Sequence, residues 1–126
     1  HLGGADGPLA TARAVLGPDR LLGSSCYDRI ELAQTAIAAG ADHLAFGSFF
    51  PSTVKPGAVR PPIDLLTRAK ARFGVPVVAI GGINLDNAPQ LIAAGADAIA
   101  VISAVFSAPD VEKAARAFQS LFKKSP

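Results

Sequence analysis

One twelve-residue pattern occurs twice in this chain. Residues 37–48 read Ile-Ala-Ala-Gly-Ala-Asp-His-Leu-Ala-Phe-Gly-Ser, and residues 92–103 read Ile-Ala-Ala-Gly-Ala-Asp-Ala-Ile-Ala-Val-Ile-Ser. In each copy an alanine-rich helical end meets a glycine, Gly40 or Gly95. Glycine most readily takes the left-handed conformation that stops a helix. An Ala-Asp turn follows, then a short apolar run that reads as a buried strand and ends in a serine, Ser48 or Ser103. The copies lie 55 residues apart (92 minus 37), room for two βα units between them. A chain that repeats helix, turn and buried strand at this interval is confined to alternating α/β architectures.

The remaining segments fill in that alternation. Residues 1–3 read as the stump of a strand and 7–16 as a helix with Pro8 in its first turn. Strands are expected at 21–25, 43–47, 76–80 and 98–102, each short and apolar. Helices are expected at 28–39 capped by Asp28, at 62–73 closed by Gly74, at 84–94 capped by Asn84 or Asp86, and at 110–123. A long irregular loop separates the third strand from the next helix, over residues 48–61. Strands that are apolar on both faces and alternate with helices form a parallel sheet. Five such strands suit either an open doubly wound sheet or the second part of a (β/α)₈ barrel. A whole barrel takes at least about 200 residues. With 126 residues, no methionine and a start at His1, the chain reads as a piece of a longer protein. Residues 1–126 are therefore taken as a single partial domain.

Bulk properties exclude several functions. The formal net charge is +2 and the basic residues are scattered apart from Lys123-Lys124, so nothing points to nucleic acid. No apolar run is long enough for a membrane span. Cys26 is the single cysteine and cannot form an internal disulfide, which fits a reducing, cytoplasmic compartment. An incomplete barrel would also leave an unpaired strand edge, a route to self-association.

In parallel α/β folds chemistry gathers at the ends of strands. Asp6 follows the first strand, Ser25 ends the second, and residues 48–55 follow the third. Gly81-Gly82 end the fourth strand and Ser103 the fifth, with Ile102 just before it. Bare backbone at Gly81-Gly82, leading into a helix, presents N–H groups and a helix dipole to an anion. Alone, the pair serves equally as a tight turn. With Ser103 at the neighbouring strand end, a phosphate cradle is favoured. The loop Phe49-Phe50-Pro51-Ser52-Thr53-Val54-Lys55-Pro56 offers hydroxyls and an ammonium, groups that suit an anionic ligand. Asp6 by itself reads more readily as a helix cap than as a metal ligand. Cys26 reads as a packed thiol and His43, at the opposite end of its strand, as structural.

Taken together these motifs resemble the thiamine phosphate synthase family. The resemblance rests on His1-Leu2-Gly3…Asp6, Gly23-Ser24-Ser25, residues 47–56, Val78-Ala79-Ile80-Gly81-Gly82-Ile83 and Val101-Ile102-Ser103-Ala104-Val105-Phe106, in the family's order and spacing over essentially the whole chain. It implies a (β/α)₈ TIM barrel, present here as about strands four to eight with their helices. It implies joining of a hydroxymethylpyrimidine diphosphate to a thiazole phosphate with loss of diphosphate, through a carbocation-like pyrimidine that the thiazole nitrogen attacks. By the same resemblance Asp6 is one of two aspartates on Mg²⁺, Ser25 contacts the diphosphate, and Lys55 neutralises its departing charge. Ser52 contacts the thiazole phosphate, and Gly82 and Ser103, with the adjoining Gly81 and Ile102 backbone, hold the thiazole or product phosphate. Val54 and Tyr27 stand where the family usually has a threonine and a histidine. The family's pyrimidine-binding strand end and other metal aspartate lie before His1, so the chain alone is expected to be inactive. Two further readings share the cradle: a thiazole tautomerase-like enzyme, and a non-catalytic phosphate-binding or regulatory barrel. Lys55 and Asp6 favour the synthase.

Overall fold

A computed structural model describes residues 1–51 and 60–122. Four parallel strands, β1 (Gly23–Tyr27), β2 (His43–Phe46), β3 (Val77–Ile80) and β4 (Ala98–Ala100), pair in the order β1-β2-β3-β4. Leu2 adds a parallel bridge to Ser24 on the outer side of β1, so the expected stump at the chain start is present as a single ladder rung. The helices are α1 (Leu9–Leu16), α2 (Ile30–Ala38), α3 (Asp64–Arg72), α4 (Ala88–Ala93), α5 (Ser103–Phe106) and α6 (Val111–Ser120). Every strand lies beside its neighbour in the chain and the order never reverses. A doubly wound sheet requires such a reversal, so of the two architectures the sequence allows, the described part follows the barrel-like one.

Burial alternates along the strands. Leu22, Ser24 and Cys26, Leu44 and Phe46, and Val77 and Ala79 are buried. Of these, Cys26, Leu44, Phe46, Val77 and Ala79 join Ala33 and Ala36 of α2, Leu65, Leu66 and Ala69 of α3, and Ala88 and Leu91 of α4 in one core cluster. The opposite face carries Ser25, Tyr27, Val78 and Ile80, which are half-buried, and Ala98 and Ala100, which are exposed. Of the strand residues on that face, only Gly23 and Ala45 are buried. The sequence reads as apolar on both faces, yet among the described residues helices cover only one.

The repeated sequence has a repeated geometry. Gly40 and Gly95 both have positive φ, 98° and 118°, and end their helices as expected. The aspartate after each then reaches back to the start of the preceding strand. Asp42 Oδ2 accepts from Leu22 N–H at 2.7 Å, and Asp42 N–H donates to Leu22 O at 2.7 Å. Asp97 Oδ2 accepts from Val77 N–H at 2.8 Å, and Asp97 N–H donates to Val77 O at 2.8 Å. A cation closes each bridge: Arg13 Nη2 lies 2.5 Å from Asp42, and Lys70 Nζ 2.8 Å from Asp97. Arg13 also donates to the carbonyls of Gly17, Arg20 and Gly40.

Several local expectations are corrected. Asp28 does not cap α2. Arg29 N–H donates to Cys26 O in a turn, the helix starts at Ile30, and Arg29 pairs instead with Glu31. Gly74 is not among the glycines with positive φ; Phe73, in extended conformation, ends α3. Asn84 Oδ1 accepts from the N–H groups of Asp86 and Asn87, and Asn87 Oδ1 from Asn84 N–H, so this pair closes a turn and α4 starts only at Ala88. Asp110 caps α6 through Lys113 N–H at 3.0 Å, a cap the sequence reading does not name. Helix α5 is unanticipated by the sequence pattern.

Candidate functional site at the carboxyl ends of the strands

The sheet register places the expected residues. Ile80 pairs with Ala100, the last rung between β3 and β4. Gly81-Gly82 and Ile102-Ser103 therefore leave neighbouring strands at the same end. Ser103 is exposed and opens the four-residue α5. Among the described residues no acceptor takes the N–H of Gly82 and none pairs with the Ser103 hydroxyl. The helix dipole expected behind Gly82 is not adjacent, because the Asn84–Asn87 turn intervenes before α4.

The glycines serve a close approach by protein backbone. Gly81 and Gly82 have φ of 98° and 63°. A Cβ on Gly81 would strike the Ser48 side chain, and one on Gly82 would meet Phe50 O at 2.6 Å and also Pro51 O. Phe49 N–H donates to Ile80 O at 3.1 Å and Phe50 N–H to Gly81 O at 3.2 Å. Asn87 Nδ2 donates to Gly82 O at 3.1 Å. The carbonyls of the turn are thus committed to protein, and the loop leaving β2 is laid directly across it. That loop runs on into Ser52 and Lys55, which lie outside the described residues.

On the other side of the site, Ser25 does not end its strand. Strand β1 continues to Tyr27 through a bulge, because Ser25 pairs with Ala45 and Tyr27 with the very next residue, Phe46. Ser25 Oγ lies 2.8 Å from His1 Nε2, and the His1 ring stacks on His43 at 5.7 Å. His43 packs against Gly23, where a Cβ would strike its ring, in keeping with the structural role expected of it. Asp6 does not cap α1. Its Oδ2 accepts from Gly3 N–H at 2.7 Å, and Asp6 N–H donates back to Gly3 O at 3.1 Å. The carboxylate is exposed, with Oδ1 unpaired among the described residues. Mg²⁺ commonly takes one or two carboxylates and completes its shell with water and phosphate oxygens. Asp6 fits as one such ligand. No group of three metal-ligating side chains is found among the described residues. Cys26 is fully buried, and burial pushes its thiol up to about 11, so it is a packing group here and not a nucleophile.

The family model described as thiamine monophosphate synthase matches residues 1–105. The chain belongs to the thiamine monophosphate synthase family. The thiamine-phosphate synthase of Azoarcus sp. (strain BH72) is 62% identical over 122 residues, 97% of this chain and 59% of that protein. The thiamine-phosphate synthase of Thioalkalivibrio sulfidiphilus is 53% identical over 123 residues, 98% of this chain and 58% of that protein. Among solved structures, the thiamine phosphate pyrophosphorylase from Pyrococcus furiosus superposes with a TM-score of 0.82 at 38% identity, over 96% of this chain and 57% of that one. The chain spans about three-fifths of the length of the curated relatives it matches. Two features of this end are not read from the sequence: the bulge at Tyr27 and the contact between Gly82 and the β2 loop. The only signal for the second was that both segments are glycine- or proline-rich strand exits.

Proposed function

We propose that the intact protein is a thiamine phosphate synthase. It would join a hydroxymethylpyrimidine diphosphate to a thiazole phosphate, breaking the pyrimidine-methylene C–O bond, forming the C–N bond to the thiazole and releasing diphosphate. Membership of the thiamine monophosphate synthase family carries this reading. The half-open sheet face supports its architecture. Val78, Ile80, Ala98 and Ala100 need covering, and a sheet with strands in unbroken parallel order covers its inner face by closing into a (β/α)₈ barrel.

The residues divide the work between positioning and charge. The Gly82 amide and the Ser103 hydroxyl, with the backbone of Gly81 and Ile102, would hold the thiazole or product phosphate, since they leave adjacent strands with hydrogen-bonding capacity to spare. Ser52 would add a hydroxyl to that phosphate. Ser25 would hold the diphosphate, its hydroxyl oriented by His1. Lys55 would sit against the leaving diphosphate, where negative charge grows as the bond breaks. Asp6 would be one ligand of Mg²⁺. A cation held by Asp6 would supply charge neutralisation for the diphosphate. The partners are small phosphorylated pyrimidine and thiazole molecules and the setting the cytoplasm. No helix among the described residues is long and apolar enough to cross a membrane.

The deciding assay incubates the intact protein with both precursors and Mg²⁺ and follows product by chromatography. Thiamine phosphate and diphosphate should appear in equal amounts. Absence of both, with the protein folded by circular dichroism, would overturn the reading.

A further inference from the structure

Tyr27 is the one non-glycine residue with positive φ among the described residues, at 55°. It lies just past a bulge at the carboxyl end of β1, where a bulge re-aims a side chain. Its carbonyl accepts from Gly47 N–H at 3.1 Å, fixing it to the end of β2. Its hydroxyl accepts from Gly4 N–H at 2.9 Å. The ring lies along the Gly3-Gly4 backbone: a Cβ on Gly3 would be 3.1 Å from Tyr27 Oη and 3.4 Å from Asp6 Oδ2, and one on Gly4 3.7 Å from Tyr27 Cε2. Gly3 N–H in turn donates to Asp6 Oδ2. Successive amides of one short turn are thus taken by Tyr27 and by Asp6.

We infer that Tyr27 is a positioning residue for Asp6. Its hydroxyl pins the Gly3–Asp6 turn against the end of β1, and the turn sets the direction of the Asp6 carboxylate. The strained backbone at Tyr27 makes sense on this basis. A left-handed residue is kept only where surrounding contacts over-determine it, and here the ring's aim depends on it. The inference rests on the reading of Asp6 as a cation ligand given above, and extends it to a residue that touches neither cation nor substrate.

The test compares intact wild-type protein with Tyr27→Phe, Asp6→Asn and the double variant. Tyr27→Phe keeps the ring and removes only the acceptor. Two quantities are read: amide exchange at Gly4 by NMR, and the Mg²⁺ concentration giving half-maximal rate. In Tyr27→Phe, Gly4 should exchange faster and the Mg²⁺ requirement should rise about two- to tenfold, the range one hydrogen bond is worth. The rate at saturating Mg²⁺ should fall far less. In the Asp6→Asn background, Tyr27→Phe should add nothing. Unchanged Gly4 exchange would overturn the clamp. Faster exchange with an unaltered Mg²⁺ requirement, or an equal loss of rate in both backgrounds, would overturn the positioning role. If the wild type forms no thiamine phosphate at any Mg²⁺ concentration, the functional reading has failed, and Gly4 exchange alone then judges the clamp.

Discussion

The two ends of the sheet solve opposite problems. At the amino ends of the strands, polar groups pair with one another. Asp42 returns to the amide just before β1 and Asp97 to the first amide of β3, and Arg13 and Lys70 each neutralise the carboxylate. At the carboxyl ends, the Gly82 amide, the Ser103 hydroxyl and one oxygen of Asp6 keep capacity to spare among the described residues. An end whose hydrogen bonds are closed internally holds the strands in register. An end left partly unsatisfied keeps the groups that the proposed function assigns to charged ligands. Substitutions at the two ends should therefore separate stability from turnover.

The largest separation is expected at the upper, carboxyl end. In the intact protein Lys55→Ala should lower turnover about 10²–10³-fold, the loss typical of one preorganised charge-stabilising group, with Tm unmoved. Steady-state kinetics beside a thermal melt checks this. Equal losses of rate and Tm would mean that the lysine supports the fold. Gly82→Ala comes next and should do both kinds of damage. A Cβ there strikes Phe50 and Pro51 backbone at a positive φ, at a cost of about 1–3 kcal/mol. It also displaces the loop leading to Lys55, so turnover should fall about tenfold or more. Chemical denaturation and kinetics on the same preparation read both effects.

At the lower end the order reverses. Asp97→Ala leaves the buried Val77 amide without its acceptor and should cost about 1 kcal/mol, with Michaelis constants unchanged. Asp42→Ala should lower Tm further, because Arg13, which ties Asp42 to three carbonyls, loses its anchor as well. Equal melts for the two variants would show that the cation contributes nothing to the difference. The smallest effect is on acid stability. The Leu22 amide and then Arg13 hold the Asp42 carboxyl below its ordinary value. For Asp97 burial is the largest single influence and opposes ionisation, but Lys70 and the Val77 amide together outweigh it and hold the carboxyl low. Each carboxyl binds protons more readily unfolded than folded. Their stabilisation is therefore complete above the usual aspartate range near pH 4 and lost as pH falls through the lower folded values. Urea midpoints measured from pH 7 downward should show an acid slope that flattens in Asp42→Asn and Asp97→Asn.

What the sequence displayed follows the range of the interactions involved. Apart from α5, helix and strand order and the terminators Gly40 and Gly95 are set within a few residues, and all are visible in the pattern. Asp42 and Asp97 show up as a repeated turn, but their bonds to Leu22 and Val77 span 20 residues and their cations lie 29 and 27 residues away. No periodicity marks such contacts. Asp28 and Asn84 mislead for a different reason, competition from other local turns. The bulge at Tyr27 and the reciprocal turn with Asn87 decide how those segments enter their helices. At the candidate site the chain positions of Gly82 and Ser103 were readable from strand ends. The use of the bare Gly82 carbon by Phe50 and Pro51 depends on a packing of distant segments.

The solitary thiol offers a way to watch the sheet and its helices separate. Cys26 faces the covered side, fully enclosed and protonated across the physiological range. A maleimide in solution meets it only during the moments when that layer opens. The speed of labelling then counts those excursions, and the chain carries its own clock for breathing without an introduced probe.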